Sequence, residues 1–332
     1  MTNTRFDVVA LGNAIVDVIA PVEERFLDEW KIERDAMSLI DEPRAEALTG
    51  AAEGAEHPGG SAANTAAGIA SFGARAGYLG KVADDRLGEV FRKDMTASGI
   101  PFNTAPLTDG PATARSIIFV TPDGGRSMNT FLGATVMFNP DDVDAEMVAG
   151  AGIVYLEGYL FDRDEAKASF VHAAEIARAA GRKVSLTLSD SFCVDRHRES
   201  FRDLIKNHVD VVFANEAELL SLYETDDYDA AVEALRGDSP LAAITRGENG
   251  SMIISEGAEP VSVEAEPVDK VVDTTGAGDQ YAAGFLFGLS RDLPLATCAR
   301  LGHIAAAEVI SHYGPRPETS YRELAVKAGI AV

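Results

Sequence analysis

The stretch Asp273-Thr274-Thr275-Gly276-Ala277-Gly278-Asp279 precedes a run of small and apolar residues, 280–289, that is typical of a buried helix. Two glycines separated only by alanine let the backbone turn tightly, so that successive N–H groups point into one concavity. The helix adds free N-terminal amides and a partial positive charge. We therefore predict an anion hole at Gly276, Ala277 and Gly278, with Asp279 as a proton acceptor beside it. The alternative, an ordinary glycine turn capped by Asp279, fits a bare GxGD better than it fits all seven residues.

Strand and helix patterns alternate through most of the chain around this motif. Buried strands are predicted at 6–12, 78–82, 153–156, 184–188, 209–213 and 241–245, and helices at 61–72, 86–98, 164–180, 198–207 and 228–235. Such alternation predicts an α/β fold whose central sheet is mostly parallel and covered by helices on both faces. Short alternating strands interrupt the rhythm at 14–40 and 102–131. We expect these inserted segments to form a small β-rich lid on one α/β domain that spans residues 1–332.

Composition excludes several classes of function. The chain has 332 residues, with 29 basic and 53 acidic side chains and a net charge of −24, which argues against a nucleic-acid or anionic-membrane surface. It contains no apolar run of the roughly 18–20 residues that cross a bilayer, and its start does not read as a secretory leader. Cys193 and Cys298 have no metal-binding spacing. We therefore expect a cytoplasmic protein with reduced thiols.

A second glycine cluster, Gly59-Gly60-Ser61-Ala62-Ala63-Asn64, opens the predicted helix 61–72. Its backbone can approach a ligand closely, and Asn64 offers both hydrogen-bond donors and an acceptor. Asn13 and Asp17 follow the first strand, near the carboxyl edge of the sheet where open α/β folds bind ligands. These residues, including Gly59 and Gly60, are predicted to bind a hydroxylated substrate. Simple capping by Ser61 and a solvated loop acid at Asp17 are the structural alternatives.

Two further segments fit a nucleotide site. Asn215 and Glu218 are expected one turn apart on a helix face after strand 209–213, where the pair could organise water around Mg²⁺. A capped surface helix explains the same two residues. The segment Thr245-Arg246-Gly247-Glu248-Asn249-Gly250 joins two strands and could hold nucleotide phosphates or ribose, although by itself it is a hairpin.

These motifs, in this order, resemble those of the PfkB/ribokinase family of carbohydrate and nucleoside kinases over nearly the whole length, from Val8 to about Glu318. The resemblance implies a ribokinase-like sheet of nine or a similar number of strands with a lid over the acceptor. It implies that Asp279 is the catalytic base and that Asn215 and Glu218 organise Mg·ATP, with Glu218 acting on the metal through water. The implied nucleotide-binding residues are Asn215, Thr245, Gly247, Gly250, Thr275, Gly276, Gly278 and His303.

Within the family, the closer likeness is to the adenosine kinases. The segment 123–127 resembles the lid loop whose arginine, here Arg126, contacts the transferring phosphate, and 188–192 resembles the segment whose aromatic ring, here Phe192, lines the nucleoside site. The helix around His303 resembles the one beside the ATP base. One departure is Leu160, which occupies the position where an aromatic residue is expected to stack on the acceptor.

The sequence thus predicts an ATP-dependent kinase that phosphorylates a primary hydroxyl, first of all the 5′-OH of adenosine. A sugar kinase of the same family (for ribose, fructose or 2-keto-3-deoxygluconate), another nucleoside kinase, a dinucleotide-dependent oxidoreductase and a non-catalytic nucleotide- or sugar-binding protein remain alternatives. ATP and Mg²⁺ are expected, and the resemblance also allows a monovalent cation such as K⁺ near 269–271 and 311–314. The chain is expected to be a monomer or a homodimer.

Overall fold

A computed structural model describes residues 4–332, apart from the side chain of Asp162. Its strands form an eight-stranded sheet and a five-stranded sheet. In chain order the strands are β1 (Phe6–Leu11), β2 (Ile15–Pro21), β3 (Met37–Leu39), β4 (Ala55–Pro58), β5 (Ala76–Leu79), β6 (Ala114–Val120), β7 (Arg126–Phe131), β8 (Ala151–Glu157), β9 (Lys183–Thr187), β10 (Val211–Asn215), β11 (Leu241–Thr245), β12 (Ser251–Ser255) and β13 (Val261–Val263).

Helices cover both faces of the larger sheet. They are α1 (Glu24–Trp30), α2 (Glu42–Ala51), α3 (Ser61–Ser71), α4 (Arg86–Ala97), α5 (Ala145–Ala149), α6 (Asp164–Ala179), α7 (Ser191–His208), α8 (Glu216–Tyr223), α9 (Tyr228–Asp238), α10 (Ala277–Ser290), α11 (Leu295–Val309) and α12 (Tyr321–Lys327). Short 3₁₀ turns lie at Gly133–Met137, Pro140–Asp142, Gly158–Asp162 and Gly247–Asn249. Within the described residues, no helix combines the length and the apolar character that a membrane span requires.

The larger sheet has the order β13-β12-β11-β10-β9-β8-β1-β5, and its strands are parallel from β11 to β5. At one edge, β12 runs in the opposite direction and pairs antiparallel with both β11 and β13. Every residue of β1 is buried, as expected for a parallel strand covered on both faces. The predicted α/β fold with a mostly parallel sheet is confirmed, with eight strands in this sheet rather than nine.

The smaller sheet has the order β3-β7-β6-β2-β4 and packs over its own apolar cluster. Four of its five strands, β2, β3, β6 and β7, lie within the predicted segments 14–40 and 102–131. Strand β4 lies beyond the predicted segment 14–40, because an edge strand of four residues that alternate between exposed and half-buried carries little apolar pattern. The pairing of β2 with β6 and β4 holds Asp17 in the sheet, opposite Ser116 and His57.

Two element boundaries differ from the prediction in ways that matter for the site. Helix α10 begins at Ala277 rather than at Gln280, so Asp279 lies inside its first turn. Strand β10 ends at Asn215, two residues later than predicted, and Asn215 caps α8 instead of lying on a helix face. Both shifts place polar groups at the carboxyl end of a strand or at a helix N-terminus.

The core is divided by the larger sheet. One side packs α3, α10, α11 and α12 with residues such as Phe72, Tyr281 and Phe285, and the other packs α6 and α7 with residues such as Phe170 and Phe201. Cys298 is buried in the first of these clusters and Cys193 in the second.

Candidate active site

The glycine-rich motif turns into α10 through a left-handed residue. Gly276 has φ +81° and is the N-cap of the helix, and a Cβ added to it would lie 2.7 Å from Cβ of Pro315. A side chain is therefore excluded both by the backbone conformation and by space. Ala277 and Gly278 follow in the first turn, where backbone amides have no partner within the helix. The anion hole at Gly276, Ala277 and Gly278 stays a prediction, and the Ala277 amide already donates to the Thr274 backbone oxygen at 3.2 Å.

Asp273 fixes this turn from the other end. Its Oδ1 accepts hydrogen bonds from Thr275 N (3.0 Å) and Thr275 Oγ1 (2.7 Å), and its Oδ2 accepts one from Gly314 N (3.2 Å). Burial acts to raise the pKa of Asp273, but these hydrogen bonds and the nearby Arg126 lower it below its ordinary value. Asp273 is consequently ionised and holds the loop in one conformation.

Asp279 is the point at which the two glycine motifs meet. Its Oδ1 accepts a hydrogen bond from Ser61 Oγ at 2.5 Å and its Oδ2 one from Asn64 Nδ2 at 2.9 Å. Thr65 Oγ1 also donates to the Asp279 backbone oxygen. Burial raises the pKa of Asp279 to about 6, although the two side-chain hydrogen bonds and the charge of Arg316 oppose the shift. A carboxylate with this pKa is well matched to accepting a proton near neutral pH.

Asn64 retains one unused polar atom beside Asp279. Its Oδ1 is buried and has no hydrogen-bond partner among the described residues. Unsatisfied buried acceptors are rare in proteins and call for a ligand or a water. Asn64 therefore has a free acceptor as well as a role in holding Asp279.

Asp17 and the glycine pair lie against each other next to Asp279. A Cβ on Gly59 would come within 2.4 Å of Asp17 Oδ2, and one on Gly60 within 2.2 Å of the Asn13 backbone oxygen. Burial raises the pKa of Asp17 to about 7, with Arg126 and Arg316 opposing the shift and Asp279 adding to it. Asp17, Gly59, Gly60, Asn64 and Asp279 are thus brought together, as the sequence predicted.

Asn13 is also close, but the protein uses its side chain internally. Its Nδ2 donates to Glu157 Oε1 at 3.0 Å, and its Oδ1 accepts from Thr135 Oγ1 at 3.0 Å. Glu157, which is 1% exposed, also accepts a hydrogen bond from Ala62 N at 2.7 Å through its other oxygen. Burial raises the pKa of Glu157 to about 8. The sequence analysis did not identify Glu157 as part of the site. A single acidic residue directly after the apolar strand 153–156 could have indicated it.

Arg126 extends from the smaller sheet to the glycine-rich loop. Its Nη1 donates to Thr275 Oγ1 (2.9 Å) and lies 2.5 Å from Asp273 Oδ2. Its backbone N–H donates to Asp35 Oδ1 at 2.9 Å, which fixes the start of β7. Arg126, the arginine predicted to contact the phosphate, therefore reaches the glycine-rich loop 273–279.

A cavity of about 560 Å³ opens on the other side of the same loop. Five of the predicted nucleotide-binding residues line it: Thr245, Gly247, Gly250, Gly278 and His303. Its remaining wall is largely apolar and comes from 265–271 and 306–310, which the sequence analysis did not assign to the site. An apolar pocket that ends at a helix N-terminus suits a nucleotide, with its base in the pocket and its phosphates at the amides.

His303 lies in this cavity as a neutral ring. Tyr281 Oη donates to Ser251 Oγ at 2.8 Å, and Ser251 Oγ lies 2.9 Å from His303 Nε2. Burial lowers the pKa of His303 to about 4. Because Tyr281 donates to Ser251, the serine hydroxyl is free to donate to Nε2, so His303 offers a ligand its ring rather than this nitrogen.

Asn215 and Glu218 form a capping box. Asn215 Oδ1 accepts from Glu218 N at 2.9 Å, while the Glu218 carboxylate accepts from Asn215 N and Nδ2. The capped-helix interpretation is therefore right about the local structure. Glu218 is buried at the carboxyl end of β10, and burial raises its pKa to about 7.

Within residues 4–332, no three His, Cys, Asp or Glu side chains cluster as a metal site. The predicted magnesium role of Asn215 and Glu218 stays a prediction, because each of their side-chain oxygens already accepts a hydrogen bond within the capping box.

The sequence predicts Phe192 in the nucleoside site and, since Leu160 holds the expected stacking position, Tyr159 or Phe161 as the ring that substitutes for it. Phe192 is 55% exposed in the first turn of α7, where its ring lies under the Arg196 guanidinium at 4.5 Å. Leu160 and Phe161 are buried in the core, Phe161 stacking on Phe201. Tyr159 is only half-buried, and its Oη donates to the Ser189 backbone oxygen. No described contact connects Phe192 with Asp279, so its role stays a prediction.

Comparison with known proteins agrees with this arrangement. The chain is similar to the crystal structure of adenosine kinase from Sinorhizobium meliloti, with 52% sequence identity, TM-score 0.91, and 98% and 99% of the two chains covered. It is equally similar to a "probable sugar kinase protein" from Rhizobium etli CFN 42, with 50% identity, TM-score 0.92, and 99% and 100% covered. Adenosine kinase from Saccharomyces cerevisiae is 27% identical over 330 residues, or 92% of this chain and 95% of that protein. The model of the pfkB family carbohydrate kinases matches residues 6–320, and the chain therefore belongs to this family.

Proposed function

We propose that this kinase transfers the γ-phosphoryl group of Mg·ATP to the 5′-hydroxyl of adenosine, giving AMP and ADP. The observation that carries the choice of acceptor is the 52% identity to the Sinorhizobium meliloti adenosine kinase over nearly the whole chain. The reaction type itself follows from membership of the family.

Asp279 acts as the base. The hydroxyl proton passes to a carboxylate oxygen of Asp279 as the hydroxyl oxygen forms its bond to phosphorus and the bond from phosphorus to the ADP oxygen breaks. Ser61 and Asn64 fix the direction of that carboxylate through two hydrogen bonds. Such positioning reduces the entropic cost of bringing base and hydroxyl together.

The acceptor lies against Asp17 and the Gly59–Gly60 backbone. The Asp17 carboxylate accepts hydrogen bonds from the ribose hydroxyls, and the unpartnered Oδ1 of Asn64 accepts another. The smaller sheet, which carries both Asp17 and Arg126, closes over this site as a lid and excludes water.

The phosphates are held on the other side of Asp279. The amides of the first turn of α10 and the guanidinium of Arg126 stabilise the negative charge on the phosphoryl oxygens. Asn215 and Glu218 are the residues that would hold a hydrated Mg²⁺, which when bound neutralises part of the phosphate charge. The adenine of ATP occupies the apolar cavity beside His303.

A sugar acceptor is the second candidate, and two observations favour it. The residue at the expected stacking position, Leu160, is buried in the core and presents no ring to a purine. The comparable similarity to the Rhizobium etli probable sugar kinase points the same way. Both candidates use the same base and the same anion hole.

Coupled ADP release measures the two candidates directly. The purified chain is assayed with Mg·ATP and, in turn, adenosine, guanosine, inosine, cytidine, ribose, fructose and 2-keto-3-deoxygluconate, with Asp279→Asn as the matched inactive control. Turnover that is at least tenfold more efficient with adenosine than with any other acceptor supports the proposal. Preferential turnover of a sugar refutes adenosine and retains the site, whereas equal rates for the wild type and the control refute Asp279 as the base.

A further inference from the structure

Gln280 follows the proposed base directly, and the mechanism above does not use it. It lies in the first turn of α10 and is 0% exposed, at the start of a run that is otherwise small or apolar. Buried polar side chains are almost always hydrogen-bonded, so the partners of this amide indicate what it does.

The side-chain amide of Gln280 joins three segments of the chain. Its Nε2 donates to the Asn64 backbone oxygen at 3.0 Å and to the Pro315 backbone oxygen at 2.8 Å. Both partners are carbonyl oxygens, which can only accept, so the nitrogen of the amide has to face them. Helix α10 is thereby tied to α3, which contains Asn64, and to Pro315, which packs against Gly276.

The oxygen of the same amide has no such partner. Gln280 Oε1 is buried without a hydrogen bond among the described residues, and it lies 2.1 Å from the position of a Cβ added to Gly68, so α3 approaches the amide with a glycine. A buried acceptor without a partner lowers stability, and an apolar side chain of the same length would avoid that loss. The two hydrogen bonds of Nε2 therefore explain a glutamine at this position better than the filling of the core does.

These two hydrogen bonds act at the contact that orients the base. Asp279 lies on α10, whereas Ser61 and Asn64, whose side chains donate to its carboxylate at 2.5 Å and 2.9 Å, lie on α3. The direction of the carboxylate consequently depends on how α3 and α10 are placed relative to each other. Gln280 fixes that placement one residue away from the base, through the backbone of the same Asn64.

We propose that Gln280 is a positioning residue for phosphoryl transfer, whose amide fixes α10 against α3 and Pro315 so that the Asp279 carboxylate stays directed at the acceptor hydroxyl. The inference rests on the proposed role of Asp279 as the base. Gln280 acts through Asp279 and through the turn at Gly276, and it needs no contact with the substrate.

The first test separates the hydrogen bonds from the space that the side chain fills. Gln280→Met keeps the length of the side chain and removes both hydrogen bonds, whereas Gln280→Ala removes the hydrogen bonds and the packing. Because a displacement of about 1 Å at the reacting centre costs about 100-fold in rate, kcat should fall about 10–100-fold in both variants. KM for ATP and for the fastest acceptor of the panel above should stay within about twofold. A wild-type kcat in Gln280→Met, or a loss confined to KM, overturns the inference.

Ser169→Ala is the matched control. Ser169 is also 0% exposed and donates to a helix backbone oxygen, that of Glu165 at 2.9 Å, but it lies in α6 on the other side of the larger sheet. Its loss should leave kcat unchanged. If neither Gln280 variant folds, Gly68→Ala decides the matter, because its Cβ would lie 2.1 Å from Gln280 Oε1 and 2.7 Å from Ala283 Cβ and would move α3 relative to α10. A fall in kcat at unchanged KM is then expected, and an unchanged kcat overturns the inference.

The second test observes Asp279 without catalysis. The chain is labelled with ¹³C at aspartate side chains and titrated from pH 4 to pH 9 by NMR, and the Asp279 resonance is assigned by its loss in Asp279→Asn. The hydrogen bonds from Ser61 and Asn64 favour the ionised carboxylate, so their loosening in Gln280→Met should raise the Asp279 midpoint by about 0.5–1 pH unit. Ser169→Ala should leave it in place. An unchanged midpoint in Gln280→Met overturns the inference.

The proposed function and this inference fail separately. Absence of turnover with every acceptor of the panel refutes the proposed function. The Asp279 midpoint in Gln280→Met then still decides whether Gln280 orients the carboxylate.

Discussion

Gly276 and Gly278 lie two residues apart in the same motif, yet the structure predicts opposite effects when a methyl group is added to each. Gly276 has φ +81°, and its added Cβ would lie 2.7 Å from Cβ and 2.8 Å from Cα of Pro315. Gly278 lies in the first turn of α10 with no heavy atom within 4 Å of its added Cβ. Gly276→Ala should therefore impair folding, and Gly278→Ala should impair only the reaction.

The expected free energies follow from these two environments. A left-handed conformation costs an alanine about 1–2 kcal/mol, and a contact with fixed backbone adds about 1–3 kcal/mol. Gly276→Ala should therefore lower the free energy of unfolding by about 2–5 kcal/mol. Gly278→Ala should raise it by up to about 1 kcal/mol, because alanine loses less backbone entropy in a helix.

For Gly278→Ala, the catalytic activity should fall although the stability rises. Its Cβ would project into the cavity side of the helix N-terminus, where we place the phosphates. A displacement of about 1 Å at a reacting centre costs about 100-fold in rate, equivalent to about 2.7 kcal/mol. We expect kcat/KM for ATP to fall by about that factor in a protein at least as stable as the wild type.

Urea unfolding and ADP-release kinetics measure both quantities on the same preparations. Gly237→Ala is the matched control, since Gly237 lies in α9, also with no atom within 4 Å of an added Cβ, but away from the cavity. It should gain stability without losing activity. The reasoning is refuted if Gly278→Ala keeps kcat/KM within threefold of the control, or if Gly276→Ala unfolds at the wild-type urea concentration.

Three further predictions concern the side chains. Asp279→Asn should lower kcat by about 10²–10⁴-fold and leave ATP affinity, measured by calorimetry, within about twofold; near-normal turnover would contradict its role. Since burial raises the pKa of Asp279 to about 6 and that of Asp17 to about 7, log(kcat/KM) should rise with pH until both carboxyls are ionised and level off above about 7. The stability contribution of the Asp279 carboxyl is complete below its unfolded pKa and is lost as the pH rises through 6, so Asp279→Asn should stabilise the protein against urea at pH 8 and not at pH 4. Asp35→Ala, which removes the acceptor for Arg126 N, should lower kcat/KM about tenfold with a stability change below about 1 kcal/mol, and an unchanged rate would show that β7 holds Arg126 without it.

Local sequence patterns predicted the larger sheet and the two glycine motifs correctly. A buried parallel strand such as β1 is a nearly continuous apolar run, which is visible in the sequence. Turn positions with positive φ are occupied almost only by glycine, so they are visible in the sequence as well. Asn215 was misplaced on a helix face although the N-x-x-E spacing is itself a capping-box signal. That error arose from the strand boundary, which apolar periodicity defines poorly.

Glu157 and Arg316 were missed for a different reason. Glu157 acquires its meaning from Asn13, 144 residues away, and from Ala62, 95 residues away. Arg316 forms an ion pair with Asp94 at 3.3 Å, and its charge also acts on Asp17 and Asp279. Neither residue stands in a motif. Their partners lie on distant segments that come together only when the chain folds, so no local periodicity could indicate them. Electrostatic partners that are so far apart in the sequence can be identified only in the three-dimensional structure.

The site also resolves an apparent conflict between net charge and substrate. A chain with net charge −24 that handles a triphosphate repels its substrate at long range, so the attraction has to be local. Helix α10 supplies it through backbone amides, which carry no net charge to be neutralised, and Arg126 adds a cation held by Asp273 and Thr275. The carboxylates needed for the acceptor then stand beside the phosphate site, where their ionisation is unfavourable. The charges of Arg126 and Arg316 oppose the rise in the pKa of Asp17, and the charge of Arg316 opposes the rise in the pKa of Asp279, so the same few cations act on both halves of the site.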